Sequence, residues 1–283
     1  MLRTTMSHPE ERKGSVFLGT LVPWECLSAV GGMTGRVKMK ILYEDQDILV
    51  VQKPAGLAVQ TAQVGQQDMV SKLKNYLRTQ AAGAGGSSRT TPPYLGIIHR
   101  LDQPVEGLLV FAKNKRSAAE LSRQLTDKGE SGTLHKKYYA VFCGKVETKQ
   151  GRLVDYLYKG NNNRAVILTE AEATSNSQAK PALLQYQVQQ QKEVRGIILN
   201  LAEIQIDTGR FHQIRAQMAH AGMILVGDRK YGDDKALELS CLLGVNNVAL
   251  CAYNLEFFHP TSKRSLSFQA KPQGEAFSYF FRK

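Results

Sequence analysis

The amino-acid sequence predicts an α+β (mixed α/β) fold built on a long, mixed and mainly antiparallel central sheet, with helices and loops flanking it. Candidate strands outnumber candidate helices, and short turns join many consecutive strands, a pattern that favours antiparallel pairing over alternating βαβ units. Neither the G-x-G-x-x-G nor the G-x-x-x-x-G-K phosphate loop occurs. The sequence therefore does not indicate a doubly wound nucleotide-binding domain.

Short apolar runs and one amphipathic segment make up the early part of the chain. Two strands are predicted at Ile41–Tyr43 and Ile48–Val51, on either side of an acidic turn. A helix is predicted within residues 69–78, where apolar residues recur at helical spacing. Residues 81–93 are rich in Gly, Ser and Pro and indicate a flexible loop.

A strand and a helix are predicted next to each other in the middle of the chain. Residues 107–113 are mostly apolar, which is typical of a buried strand. Asn114 follows directly and is a candidate helix cap. The helix behind it would turn Ala118, Leu121 and Leu125 toward the core.

The second half of the chain is rich in candidate strands. They are residues 136–146, 151–157, 164–169, 181–188, 196–206, 248–257 and 265–271. A helix is predicted after an Asp-Thr-Gly-Arg turn, with Phe211, Ile214, Met218 and Ala221 on its apolar face. Gly222 can end this helix in a left-handed conformation.

The N-terminal segment differs from the rest of the chain. Residues 1–38 show no clear hydrophobic period, and the strand pattern begins at Met39. We therefore expect residues 1–38 to be an extension that is poorly ordered or dispensable, and residues 39–283 to form the folded domain.

The overall charge points to a class of partner. The 283 residues include 37 Lys and Arg against 25 Asp and Glu, a formal net charge of +12. Such a charge favours a polyanionic partner, most often nucleic acid, although many proteins are basic without one. The longest apolar runs fall short of the roughly 20 residues that cross a bilayer, and no signal peptide is indicated. We expect no membrane association.

Cysteine usage bears on compartment and metal content. Cys26, Cys143, Cys241 and Cys251 are too few and too scattered for a disulfide framework, and no C-x-x-C pair suggests zinc. This usage favours the reducing cytoplasm, and we expect no bound metal.

Three segments carry residues suited to chemistry: HRLD at 99–102, KKYYAVFCG at 136–144 and GRFHQIR at 209–215. Arg215 lies one residue, or about 100°, round the predicted helix from its apolar face. From that border its guanidinium can form a forked pair with a carboxylate. Asp102 is the obvious candidate, although the sequence alone does not identify the partner.

Plainer roles for these residues remain open. Asp102 and Arg100 could form a structural ion pair or cap a turn. His99 and His212 could be metal ligands, but no third ligand stands at a suitable spacing, and two hydrogen-bonding core histidines are the simpler interpretation. Tyr138 taken alone is most often a half-buried sheet residue.

Together the motifs resemble those of the RluA family of pseudouridine synthases. The resemblance rests on HRLD followed by GLLVFAK, on K-x-Y-x-A at 136–140, on GRFHQIR, on GDRKYG at 227–232, and on ILYEDQDILVVQKPAGL and AYNLEFFHP at 252–260. These motifs stand in family order over about residues 39–271. The resemblance implies the pseudouridine synthase fold, with residues 39–283 as the catalytic domain. No N-terminal S4-type RNA-binding module, which many relatives carry, is recognisable in the sequence. It also implies that specific uridines in rRNA or tRNA are isomerised to pseudouridine.

The resemblance implies a role for each motif residue. Asp102 would be the catalytic carboxylate that acts on a flipped-out uridine. Tyr138 would pack against the target base, and Arg215 would pair with the aspartate. The residues expected to bind the uridine or the RNA are His99, Arg100, Lys136, Arg210, His212 and Gln213. An isomerisation involves no net electron or group transfer, so no cofactor or metal is expected, and we expect a monomer.

Three residues depart from the family pattern. After HRLD the family usually has two variable residues, often ending in Thr, and then Ser-Gly, whereas here the run is Gln103-Pro104-Val105-Glu106-Gly107. A second carboxylate beside Asp102 would oppose its ionisation. We therefore expect Glu106 to face solvent away from the RNA, or a basic neighbour. Phe211 stands where Thr is common and could alter the pocket wall.

The chemical path and two other functions remain open at this point. Asp102 could attack C1′ of the ribose, attack C6 of the base, or remove a ribose proton. A non-catalytic RNA-binding protein on the same scaffold is one alternative function. A glycoside hydrolase is the other, but it needs a second positioned carboxylate, and only Glu106 is near in the sequence.

Overall fold

One large sheet runs through the structure. The computed structural model describes residues 39–63, 65–83, 92–126 and 134–281, so the prediction for residues 1–38 lies outside the described residues. The strands are β1 (Lys40–Glu44), β2 (Ile48–Lys53), β3 (Gly96–Ile97), β4 (Glu106–Ala112), β5 (His135–Cys143), β6 (Gln150–Lys159), β7 (Ala165–Leu168), β8 (Lys180–Val194), β9 (Ile197–Ile206), β10 (Leu250–Phe258) and β11 (Ser265–Gln269). The helices are α1 (Met69–Gly83), α2 (Lys115–Thr126), α3 (Glu170–Thr174), α4 (Gln213–His220), α5 (Asp234–Leu242) and a 3₁₀ helix (Glu275–Tyr279).

The sheet is mixed and mainly antiparallel, as the sequence predicts. Nine strands follow one another in the order β1-β2-β4-β10-β5-β9-β8-β6-β7, while β11 pairs with β10 and β3 with β4. Among the described strands, β4 and β10 form the parallel pair, and the other pairs are antiparallel. The α+β class is confirmed.

The strands β2 and β4 lie in the interior because both of their faces are covered. Every residue of both strands is buried. This explains why Ile48–Val51 and Leu108–Ala112 are continuously apolar and do not alternate with polar residues. Leu49 and Phe111 belong to the core on one face of the sheet, and Val50 and Val110 belong to the core on the other. The segment that carries His99 to Asp102 enters β4, so its position is fixed by this buried pair of strands.

Two predicted helix signals are present in the structure. The backbone N–H of Ser117 donates to Oδ1 of Asn114 at 2.8 Å, which is the cap predicted for α2. Gly222 has a φ of +75° directly after α4, the left-handed conformation predicted for the end of that helix.

The predicted apolar face of α4 was wrong at both ends. Phe211 lies before the helix and is 38% exposed, and Ala221 is exposed as well. The reason is the backbone of His212, whose φ of +53° lies in the left-handed region and interrupts the helical period. Ile214 and Met218 are buried as predicted.

Other element boundaries also differ from prediction. The helix α1 continues to Gly83, so the loop predicted for 81–93 begins later, and 84–91 lie outside the described residues. The helices α3 and α5 were not predicted, although both have cap signals. Thr169 and Glu172 form a capping box at α3, and Asp233 accepts from the N–H of Ala236 at α5.

Candidate active site

The three chemistry-bearing segments meet at one open cavity of about 480 Å³. The loop before β4 supplies the HRLD residues, the start of β5 supplies Lys136 and Tyr138, and the turn between β9 and α4 supplies residues 206–215. The sheet order explains the meeting, because β4, β10, β5 and β9 are consecutive neighbours. All nine predicted site residues line this cavity.

Asp102 contacts Arg215 within this cavity. Nη1 of Arg215 donates to Oδ2 of Asp102 at 3.0 Å, although the two residues are 113 positions apart in the chain. The arginine side chain is 5% exposed and the aspartate side chain 25%. The carboxylate is therefore held from the protein side and reachable from the cavity.

The forked partner of Arg215 is Asp228, which the sequence reasoning did not single out. Nε of Arg215 donates to Oδ2 of Asp228 at 2.8 Å, and Nη2 donates to Oδ1 at 2.7 Å. Burial alone would lower the pKa of Arg215, but the bonds to both aspartates raise it above its ordinary value. Burial likewise opposes ionisation of Asp228, yet Arg215 and two backbone N–H groups lower its pKa. The sequence feature that could have identified Asp228 is the GDRKYG motif, in which it is the aspartate.

A turn stabilised by Asp228 brings a second aromatic residue to the site. Oδ1 of Asp228 accepts from the backbone N–H groups of Lys230 and Tyr231 at 3.0 and 3.1 Å. The ring of Tyr231 then lies under the guanidinium carbon of Arg215, 5.2 Å from the ring centroid. Arg215 is thus fixed by a forked ion pair and by a cation–π contact.

His212 is held as a neutral side chain beside Asp102. The backbone N–H of Ala165 donates to Oη of Tyr231 at 2.6 Å, and that hydroxyl lies 2.9 Å from Nδ1 of His212. Because Nε2 of His212 faces a carboxylate, which can only accept, we assign the hydrogen to Nε2, so that Nδ1 accepts from the Tyr231 hydroxyl. Nε2 lies 3.6 Å from Oδ2 of Asp102. Burial lowers the pKa of His212 to about 4, while the charge of Asp102 opposes this shift.

Tyr138 is a buried sheet residue whose ring lines the cavity near Asp102. It lies in β5, opposite Ile204 of β9 and Ala252 of β10. Burial, and then the charge of Asp102, raises the pKa of its hydroxyl. The tyrosine therefore stays neutral and offers a flat aromatic surface to the cavity.

The remaining predicted binding residues differ in what they can offer a ligand. Lys136 lines the cavity, and burial lowers its pKa to about 8. Arg100 is exposed, and its Nη2 donates to Oε1 of Gln60 at 3.3 Å. His99 is buried and neutral, because burial lowers its pKa well below the ordinary value. Its Nε2 accepts from the N–H of Val110 at 3.3 Å, which fits the simpler interpretation of a hydrogen-bonding core histidine.

Gln213 and Arg210 are bound to the protein's own turn. Oε1 of Gln213 accepts from Oγ1 of Thr208 and from the backbone N–H of Arg210, both at 2.9 Å. Nε2 of Gln213 donates to the carbonyl of Leu183 at 2.9 Å, and Nε of Arg210 donates to that of Pro181 at 2.9 Å. The amide of Gln213 therefore shapes the turn, while the guanidinium of Arg210 keeps free N–H groups at the cavity.

A buried lysine supports the loop that carries Asp102. Nζ of Lys53 donates to the carbonyls of Pro54, Leu57 and Gln103 at 3.0, 2.7 and 2.9 Å. These three acceptors match the three N–H bonds of an ammonium group. Burial lowers the pKa of Lys53 to about 7, and the charge of Asp102 opposes this shift. The sequence reasoning missed Lys53. The feature that could have indicated a buried lysine is the apolar strand that ends in Gln-Lys-Pro.

Of the two predicted surroundings of Glu106, solvent was wrong, whereas a basic neighbour is present, since its charge interacts with that of Lys53. Glu106 is 3% exposed, and its carboxylate accepts from the backbone N–H groups of Gln273 and Gly274 at 2.8 to 3.1 Å. Burial raises its pKa, and these two N–H groups oppose the shift. Glu106 does not line the cavity, because alternation along β4 turns it toward the C-terminal segment.

The other two departures lie at the cavity itself. Val105 is buried and lines it. Phe211 is exposed at the rim, where its ring stacks on that of His212 with centroids 3.8 Å apart. Nζ of Lys159 lies 5.1 Å from the centroid of the Phe211 ring. A second carboxylate, Asp207, also lines the cavity, and sequence reasoning did not single it out.

Two findings on the described ranges of the structure concern metal-binding clusters and membrane-spanning helices. In those ranges, no group of three or more His, Cys, Asp or Glu side chains is placed to hold a metal ion. None of the helices described is both long enough and apolar enough to cross a membrane.

Comparisons with known proteins identify the family. The family model described as RNA pseudouridylate synthase matches residues 47–220, which is more than half of the chain. The chain belongs to the RluA family of RNA pseudouridine synthases. Members of the RluA family are isomerases that act on RNA, so the predicted family and enzyme class are confirmed.

Relatives of this RluA-family chain match it over most of its length. The uncharacterized RNA pseudouridine synthase YlyB of Bacillus subtilis is 32% identical over 82% of this chain and 68% of its own. The ribosomal large subunit pseudouridine synthase D of Zymomonas mobilis is 31% identical over 83% of this chain and 69% of its own.

Solved structures show that the fold is shared. Human RNA pseudouridylate synthase domain containing 1 superposes with a TM-score of 0.63 at 20% identity, over 83% of this chain and 84% of its own. Human RNA pseudouridylate synthase domain containing 4 superposes with a TM-score of 0.60 at 23% identity, over 84% of this chain and 91% of its own. The pseudouridine synthase fold implied by the motifs is confirmed.

Proposed function

We propose that this chain isomerises a flipped-out uridine in RNA, with Asp102 as the reacting carboxylate. The observation that carries the proposal is the 3.0 Å contact between Oδ2 of Asp102 and Nη1 of Arg215 at an open cavity. The contact pairs the carboxylate with a buried guanidinium and fixes its direction. Tyr138 in the same cavity supplies an aromatic surface.

The two oxygens of Asp102 are not equivalent in this arrangement. Arg215 and His212 both approach Oδ2, at 3.0 and 3.6 Å. We infer that Oδ1 is the oxygen presented to the nucleotide. His212, being neutral, adds a polar contact without adding a charge that would compete with Arg215.

The reaction exchanges one bond of the ribose for another. The bond between N1 of uracil and C1′ breaks, the detached base rotates, and a bond forms between C5 and C1′. C5 then loses its proton and N1 gains one, so no net oxidation occurs. Asp102 can assist by attack at C1′, by attack at C6, or by removing a ribose proton, and the arrangement is compatible with each.

The uridine must leave the RNA stack before Asp102 can reach it. Flipping a nucleotide costs a few kcal/mol, and aromatic stacking together with phosphate contacts offsets this cost. Tyr138 lies in the cavity for the first purpose, and Arg100, Lys136 and Arg210 supply positive charge for the second.

We propose ribosomal RNA as the first substrate class to test. Its support is the name of relatives such as the ribosomal large subunit pseudouridine synthases of Zymomonas mobilis and Neisseria meningitidis. Transfer RNA is the alternative. Pseudouridine mapping in cells with and without the gene distinguishes them, because the position lost on deletion lies either in rRNA or in tRNA.

A tritium-release assay on RNA labelled at C5 of uridine tests the catalytic role. We expect the wild type to release label and Asp102→Asn to release at least about 10³-fold less. Asp207→Asn is the matched control, because Asp207 is the second carboxylate of the cavity, and it should retain most activity. Equal release by wild type and Asp102→Asn would remove Asp102 from its role.

The same assay separates the other functions. RNA binding without release of label from the wild type would indicate a non-catalytic RNA-binding protein. Loss of activity in both carboxylate variants, with free uracil as a product, would indicate a glycosidase.

Three further expectations stay proposals. We propose that the chain acts as a monomer, because residues of one chain form the whole cavity, and light scattering tests this. We also propose that residues 39–283 suffice for catalysis, so a chain beginning at Met39 should keep its activity. The cytoplasm is the proposed compartment, and cell fractionation tests it.

A further inference from the structure

A second cavity of about 410 Å³ lies directly beside the active site. The two cavities share Arg215, which lines both. They also share the turn after HRLD, since Val105 lines the first cavity and Pro104 the second. A nucleotide bound in the first cavity would therefore lie next to the second one.

The second cavity is strongly basic. Besides Arg215, it is lined by Arg164, Arg229 and Lys230. No carboxylate side chain lines it within the described ranges. Two acids contact its Arg215: Asp228, whose oxygens already accept from Arg215 and from backbone N–H groups, and Asp102, which accepts from Arg215.

Within the described ranges no carboxylate forms an ion pair with the three outer cations, and neutral groups orient two of them, Arg164 and Lys230. The guanidinium carbon of Arg164 lies 5.2 Å from the centroid of the Tyr231 ring. Nζ of Lys230 donates to the backbone carbonyl of Asn163 at 2.8 Å. Arg229 is exposed. A ring and a carbonyl position these groups, but neither cancels a charge, so the positive potential of the cavity is retained.

The same aromatic ring joins this cavity to the catalytic residues. Tyr231 lies under both Arg164 and Arg215, each with its guanidinium carbon 5.2 Å from the ring centroid. Its hydroxyl also contacts His212. The second cavity and the residues that hold Asp102 therefore share Tyr231 as a common contact.

We propose that the second cavity binds a backbone phosphate of the RNA, next to the target uridine. The inference rests on the proposed function and adds the class of group recognised there, a phosphodiester. Arginine is suited to this ligand because its planar guanidinium can donate two parallel hydrogen bonds to phosphate oxygens. Phosphate contacts of this kind set the register of a strand without reading its bases.

The test is the salt dependence of binding to a fluorescein-labelled oligouridylate. The slope of log Kd against log salt concentration counts the phosphates that the protein neutralises, at about 0.7 for each on a single strand. We expect the double variant Arg164→Gln, Arg229→Gln to lower this slope by about 0.7, the value for one phosphate. The variant with Lys at both positions should keep the wild-type slope, since it keeps the charge.

Arg116→Gln is the matched control. Arg116 is an exposed arginine of α2 that lines neither cavity, and its replacement should leave the slope unchanged. Inorganic phosphate as competitor separates a site for free phosphate from one for the RNA backbone. If inorganic phosphate displaced the oligouridylate at a concentration equal to that of the oligouridylate's own phosphates, the site would be one for free phosphate. That result would overturn the proposal.

The outcomes for this proposal and for the proposed function are distinguishable. An unchanged slope in a folded double variant overturns the phosphate site, even if the wild type releases tritium normally. A lowered slope supports the site even if the wild type releases none, in which case only the catalytic proposal fails. Thermal unfolding of each variant confirms that it is folded.

Discussion

Arg215 binds Asp228 through two parallel hydrogen bonds of 2.8 and 2.7 Å and keeps its third nitrogen for Asp102. The guanidinium is therefore oriented before any substrate arrives. Its remaining donor points at the carboxylate proposed to react, so Asp228 positions Asp102 through Arg215. Such prior orientation reduces the cost of reaching the reactive geometry.

Asp228→Asn should lower both stability and turnover. Removing one charge of a buried pair leaves Arg215 partly uncompensated, and we expect a loss of about 3–5 kcal/mol in the free energy of unfolding. We expect kcat to fall on the order of 10²-fold, with a smaller change in KM, because Asp228 is 1% exposed and does not line the active-site cavity. Urea unfolding and tritium release measure the two effects.

The control for that variant is Asp234→Asn. Asp234 is an exposed residue in the first turn of α5, and its replacement should cost only a few tenths of a kcal/mol. Wild-type kcat in Asp228→Asn would show that Arg215 does not need its forked partner to hold Asp102.

Lys136 should make RNA binding pH-dependent near neutrality. Burial lowers the pKa of this lysine to about 8, so it is charged below that pH and loses its charge as the pH rises through it. We expect RNA affinity to fall roughly tenfold across this range, the worth of one charged hydrogen bond. Lys136→Arg should abolish the decline, because arginine stays charged. Fluorescence titration with the oligouridylate at several pH values measures it.

The neighbouring lysine provides the comparison. Lys137 has a side chain that is 41% exposed and lies 3.5 Å from a carboxylate oxygen of Glu203. Lys137→Arg should therefore behave like the wild type. An undiminished decline in Lys136→Arg would rule out Lys136 as its source.

His212 should make the fold sensitive to acid. Burial lowers its pKa to about 4 in the folded protein, against about 6.5 when unfolded. Between these values the unfolded state binds more protons, so the free energy of unfolding falls as the pH decreases from about 6.5 to 4. We expect His212→Gln to remove on the order of 1–3 kcal/mol of this loss, measured by urea unfolding across that range.

His220→Gln is the reference for this measurement, since the His220 ring is 60% exposed. It should show the same acid-induced loss as the wild type. If His212→Gln also showed the same acid-induced loss as the wild type, the His212 ring would have to be solvated and protonated in the folded state.

Gly227→Ala should be among the more damaging small substitutions. Gly227 has a φ of +79°, and a Cβ there would lie 2.1 Å from the carbonyl oxygen of Asn247. We expect a loss of about 2–4 kcal/mol, since both backbone strain and overlap are imposed. Gly196 has a similar φ of +76° with nothing within 4 Å, so Gly196→Ala should cost about 1 kcal/mol. Equal losses in thermal or urea unfolding would contradict the steric account.

The sequence by itself determined the elements whose signal is local. The strands β2 and β4 were predicted because both faces of the sheet are covered there, which makes Ile48–Val51 and Leu108–Ala112 continuously apolar. Asn114 and Gly222 marked helix ends because caps depend on a few adjacent residues. The motifs also indicated the family, and they singled out Asp102 and Arg215 as a candidate pair.

Only the tertiary structure decided which groups those side chains bind. Arg215 forks to Asp228 rather than to Asp102, and Glu106 turns inward to N–H groups 167 and 168 residues away. The second cavity likewise draws its residues from four separate loops and from helix α4. The partner of a buried charge is set by which strands become neighbours in the sheet, and strand order is a long-range property that local spacing does not encode.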